Sequence, residues 1–186
     1  MDVVGEALNI ISILLWRAAG LVTALVAGYL TSHVIVLGRY FDWLVAHDHA
    51  ALLQTTYSAF RLEADPVTPY LGSFFVQFFL AVALLIIALR HRSTLGIPRL
   101  AAAVLAAGAL PLTIAVFSVT GFYEVEQRVM AATDLSPETL DTWLKLNVPL
   151  HVASAMIFIV AAMALVFVSP PEPSSGTKPK PARTAF

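Results

Sequence analysis

Two histidines, His33 and His151, lie in stretches that hold no charged residue, and Glu124 sits just beyond the end of a third such stretch. Two imidazoles and a carboxylate form a workable donor set for iron, copper or zinc. The same two histidines can serve instead as axial ligands of a haem held between helices. A third chemistry is hydrogen bonding, with His151 and Tyr29 holding a quinone or another lipid-soluble substrate. Tyr29 precedes His33 by four residues and Asn147 precedes His151 by four, so each pair shares a helix face. Asn147, Gln77 and Tyr29 are therefore the residues expected to orient the ligands. A plainer role stands beside these. Ser, Thr, Asn, Gln and His side chains tie membrane helices together at about 0.6 to 2 kcal/mol each.

The elements that position these residues follow from the charge distribution. The chain has 186 residues, 59% hydrophobic, with 11 Lys and Arg against 12 Asp and Glu. Only 12% of residues are charged, about half the share of an ordinary soluble domain. A net charge of -1 leaves no basic excess for nucleic acid. Cysteine is absent, which removes disulfides, thiolate metal sites and thiol nucleophiles. Walker, HExxH, GxSxG and dinucleotide-binding glycine patterns are absent too. Four windows carry no charge: 18–38, 70–89, 100–122 and 146–168. Each is long enough to cross a hydrocarbon core of ~30 Å as a helix. Continuous apolar runs fit helices rather than barrel strands, which alternate. The expected fold is an all-α, four-helix transmembrane bundle over residues 1–168. The tail 169–186 is rich in proline and is expected to be disordered.

Orientation is expected from Lys and Arg. The side of the termini holds Arg17, Arg90, Arg92, Arg99, Lys178, Lys180 and Arg183; the other side holds Arg39, Arg61, Arg128 and Lys145. Both termini are thus expected in the cytoplasm, in a bacterial inner (plasma) membrane. The loops on the outer side are expected to be structured, with short interfacial helices. Asp48 is expected to cap a helix over about 49–62, with Leu53, Tyr57 and Phe60 on its apolar face. Ser136-Pro137-Glu138 predicts a helix start near 137. The first and third spans end on that outer side and the second and fourth begin there. Polar residues gather in this outer half: Tyr29 and His33; Tyr70, Ser73 and Gln77; Thr113, Phe117, Thr120 and Glu124; Asn147, His151 and Ser154. The inner halves are almost purely aliphatic. His47-Asp48-His49 has ligand types but reads as a solvated turn.

The layout resembles the anthrone-oxygenase-like family of small four-helix integral membrane proteins. The resemblance spans residues 15–168 and rests on size, the long first external loop and Trp143-Leu144-Lys145-Leu146-Asn147 entering the last helix. It implies a four-helix membrane fold and an oxygenase-like activity, with the two histidines marking a variant. The leading functional expectation is a redox-related membrane protein holding a metal, haem or hydrophobic ligand in the outer half of the bundle. His33 and His151 would be its ligands and Glu124 a third ligand or proton acceptor. The alternative is a non-catalytic accessory subunit of a respiratory or photosynthetic complex. Expected partners are membrane lipids, with a larger membrane complex or a homo-oligomer possible in principle, and no nucleic acid.

Overall fold

The structure, a computed structural model, describes residues 3–168 and Pro170. The described residues are helical apart from short turns, with no strand among them. Helix α1 (Val3–Ser32) passes without a break through a π-helical turn (His33–Gly38) into α2 (Arg39–Ala46). A second π-helical turn (Leu53–Ser58) leads into α3 (Ala59–Ala64). Helices α4 (Val67–Arg90) and α5 (Arg92–Val119) follow, then the short α6 (Phe122–Met130) and the long α7 (Pro137–Phe167). Four helical stretches are long and apolar enough to cross a membrane: Ile10–Ala46, Thr68–Arg90, Gly96–Val119 and Pro137–Phe167. The expectation for the tail falls, Pro170 apart, outside the described residues.

The four long helices form a closed ring, α1 against α4, α4 against α5, α5 against α7, and α7 back against α1. Leu21, Phe79, Val166 and Phe167 point away from it and stay exposed. In a bilayer this rim needs no protein partner, because lipid covers it.

The end of the bundle near the chain termini is packed through alanine. Ala19, Ala81, Ala88, Ala102, Ala103 and Ala106 are all buried there, with Trp16 and Leu165. Small side chains let helix backbones approach closely and gain dispersion contacts. Trp16 Nε1 donates to the Leu165 carbonyl at 2.8 Å. That carbonyl lies in the last turn of α7, where no intrahelical donor remains.

The other end, called here the loop end, is built by α2, α3, α6 and the start of α7. Ser136 is extended and its hydroxyl accepts from Thr139 N, with Pro137 in the first turn, so α7 starts where its sequence signals place it. Asp134 reinforces the cap, accepting from Ser136 N at 3.0 Å and from Thr139 Oγ1 at 2.7 Å. The 49–62 segment differs from expectation. Asp48 has a left-handed backbone, φ 62°, and caps nothing by its side chain among the described residues. Leu53 is buried and Tyr57 packs on Phe41, ring centroids 4.7 Å apart, while Phe60 is exposed. The π-helical turn has a longer period than an α-helix, and that moves Phe60 off the stripe.

Candidate functional site

The histidines meet. His33 and His151 stack, ring centroids 4.3 Å apart and planes 23° from parallel. His33 opens the π-helical turn, and His151 sits two residues beyond Pro149 in α7. His151 is buried, with Phe117 edge-on to its ring at 5.2 Å. Its Nδ1 lies 2.8 Å from the Asn147 carbonyl. A carbonyl only accepts, so Nδ1 carries the proton and Nε2 the lone pair. His33 makes no hydrogen bond with a described residue.

Asn147 holds this arrangement from α7. Its Nδ2 donates to Asp42 Oδ1 at 2.7 Å and to the Gly38 carbonyl at 3.3 Å. Trp143 Nε1 donates to the same Asp42 oxygen at 3.1 Å. Trp143, Asn147 and His151 recur every four residues, so one stripe of α7 grips the end of the first span. Gly38 allows the close approach. A Cβ there would press on the His33 carbonyl at 3.4 Å and on Val148 at 3.6 Å. Asp42 was missed at sequence level, although it lies nine residues from His33 in the continuation of the same helix.

A cavity of about 660 Å³ opens from the histidines into the loop end. Ligand sites for small molecules span roughly 300 to 1,000 Å³. Phe41, Phe74, Phe75, Phe117 and Leu110 supply apolar wall, and His33, His151, Asn147 and Tyr29 supply polar atoms. A second polar group lies across the cavity: Glu126, Tyr57, Tyr70 and Arg61. Arg61 sits over the Tyr57 ring, 5.8 Å from its centroid. Burial raises the Glu126 carboxyl above its ordinary range, and the Arg61 cation opposes the rise. Burial likewise raises the Tyr57 phenol. Thr113 also lines the cavity, and its buried hydroxyl has no hydrogen-bond partner.

Two of the residues expected to join the histidines stand elsewhere. Glu124 turns outward, its side chain 75% exposed, and pairs with Arg128 at 3.2 Å. The reason is Gly121. The expected stripe ran straight from Thr113 to Glu124, but α5 ends at Val119 and Gly121 turns the chain with φ 68°. The helical phase restarts at Phe122, so Glu126 faces the cavity instead. Gln77 is buried away from the histidines, donating to Thr23 Oγ1 at 3.2 Å and to the Ala106 carbonyl at 3.0 Å. It ties α1, α4 and α5 together. Tyr29 does line the cavity, near Tyr70 at 6.3 Å between ring centroids. The His47 ring stacks on Trp43 at 4.8 Å and its Nδ1 lies 2.8 Å from the Trp43 carbonyl, with His49 on the same indole.

Among the described residues, no three His, Cys, Asp or Glu side chains stand close enough to hold a metal ion together. Axial ligation of haem needs two imidazoles aimed at one another across the iron, and stacked rings are not so aimed. Stacking does leave ring-edge nitrogens free to meet an organic ligand. Comparison with protein-family models, with curated proteins and with solved structures finds no match to this chain.

Proposed function

We propose that this integral membrane protein binds a lipid-soluble organic molecule in the loop-end cavity, with a polar atom of that molecule against the histidine pair. The observation that carries the reading is the continuity of one cavity. Its wall is aromatic and aliphatic, and its polar atoms are few and grouped around His33 and His151. That is the composition of a site that takes an apolar body and reads a small number of polar groups. Leu71, Phe75 and Ile114 line the cavity and are also exposed, so its wall reaches the lipid-facing surface between α4 and α5. A ligand dissolved in the bilayer would reach the site from there. The Lys and Arg excess beside the termini places the loop end, and so the site, on the outer side of the membrane. Any redox role would belong to the bound molecule, a quinone type being the kind both chemically active and lipid-soluble.

The test is extraction. Protein purified in mild detergent is extracted with organic solvent, and the extract is analysed by mass spectrometry against a His151→Ala variant. A lipid-soluble compound present near one per chain in the wild type and depleted in the variant supports the reading. A Soret band, or stoichiometric iron, copper or zinc lost in the variant, replaces it with a metal or haem centre. Wild-type protein that carries neither and migrates with a large complex on blue-native gels replaces it with an accessory-subunit role.

A further inference from the structure

The polar atoms that face the cavity are not evenly divided between donors and acceptors, and this sets the chemistry of what they take. The His151 Nδ1 proton is committed to the Asn147 carbonyl, which leaves Nε2 as an acceptor. Across the cavity the Glu126 carboxyl makes no hydrogen bond with a described residue, and an ionised carboxyl only accepts. The other groups near Glu126 are the Arg61 guanidinium and the phenols of Tyr57 and Tyr70. Tyrosine hydroxyls adapt, since each can donate or accept. The fixed demands at the two ends are therefore for O–H or N–H on the ligand.

We infer that the cavity selects its ligand in a hydroxyl-bearing form: a lipid-soluble aromatic diol of hydroquinone type, one hydroxyl donating to His151 Nε2 and the other toward the Glu126 carboxylate. The corresponding quinone has the same outline but presents only acceptors, so at each end it sets lone pair against lone pair. A site built on hydrogen bonds rejects an analogue lacking the matching group more strongly than an apolar pocket rejects a change of size. Glu126 is thus a specificity residue, and the exposed Glu124 two residues earlier is not.

This inference rests on the proposed ligand cavity, and the experiment separates the two. The full chain in detergent or nanodiscs is titrated without oxygen with three probes. These are a short-tailed alkyl hydroquinone, the matching quinone, and the hydroquinone dimethyl ether, which keeps the ring but has no O–H. Binding is followed by tryptophan fluorescence and by thermal shift. The hydroquinone should bind at least about tenfold more tightly than either analogue, the ratio that one net hydrogen bond of about 1.4 kcal/mol gives. Glu126→Gln should cut that preference to about threefold or less, and Glu124→Gln should leave it intact. A shared melting temperature shows that these variants fold alike. Quinone or ether binding as tightly as the hydroquinone overturns the inference, as does an unchanged preference in Glu126→Gln; the ligand cavity survives both results. If no probe binds, yet a compound still co-purifies and is lost in His151→Ala, the diol assignment alone falls. If no probe binds and nothing co-purifies, the ligand cavity falls with it.

Discussion

Replacing Asn147 with alanine removes the side chain that joins α7 to the end of the first span. Two hydrogen bonds go with it. The one to Asp42 Oδ1 is short, at 2.7 Å, and has a carboxylate acceptor, a class that contributes about 1.5 to 3 kcal/mol. The one to the Gly38 carbonyl is long, at 3.3 Å, and adds about 0.5 kcal/mol. Inside a bilayer part of this is regained, because the unfolded helices find other partners. The net loss should be about 2 to 3 kcal/mol, or about 30- to 150-fold in the unfolding equilibrium. Equilibrium unfolding in mixed micelles of a mild detergent and SDS reads this directly. The buried Trp143 donates to the same Asp42 oxygen and is the natural fluorescence reporter. Asp42→Asn keeps an acceptor oxygen of the same shape and should lose only about 1 kcal/mol. Asn147→Ala within about 0.5 kcal/mol of the wild type, inside the range of an uninvolved surface change, would refute the clamp.

Gln77→Leu should stay within about 1 kcal/mol of the wild type by the same assay, since it gives up two hydrogen bonds but also removes the buried Oε1 that has no partner. Gly121→Ala should cost about 1 to 2 kcal/mol, because φ 68° is strained for any residue with a Cβ; it should also weaken ligand binding by moving α6 and Glu126. Hydrogen bonds from Thr139 and Ser136 hold the Asp134 carboxyl down at about 2, against 3.8 when unconstrained. A lowered folded value means a contribution to stability that is full above about pH 4 and lost as pH falls toward 2. The stability gap between wild type and Asp134→Ala should therefore be constant near neutrality and close over that window in acid unfolding. Trp16→Phe, which loses the donor to Leu165, should lower stability by about 1 kcal/mol without changing ligand binding at the far end.

The spans were legible because a charge in lipid is costly, so the gaps between charges outline the helices. The start of α7 was legible because Ser136 and Pro137 act locally. The meeting of His33 and His151 was legible only as a shared depth, both lying toward the loop end of their helices. Azimuth was not legible, since it depends on how each helix is rotated by packing. Glu124 shows the cost of that gap. Its i, i+4 spacing from Thr120 assumed an unbroken helix, and one glycine with positive φ passed the inward position to Glu126. Gln77 shows another. A buried amide looks the same in sequence whether it serves a ligand or the neighbouring backbone, and Ala106 supplies the acceptor without any polar side chain to announce it. The π-helical turns left no signal, for no residue type demands them.

The wide turn from His33 to Gly38 makes chain length a functional variable in this stretch. Each residue of an α-helix advances its azimuth by about 100°. Deleting one residue among Val34, Ile35 and Val36 would let the segment relax to regular α-helix and swing everything after it around the axis. Phe41 and Asp42 would leave the face of α7, while the residues before His33 kept their places. Ile35 and Val36 are largely exposed, so their identity can drift among apolar side chains. Their number cannot. Along this helix, spacing is held more tightly than composition, and a register error of a single residue would separate the two histidines' supports as effectively as removing them.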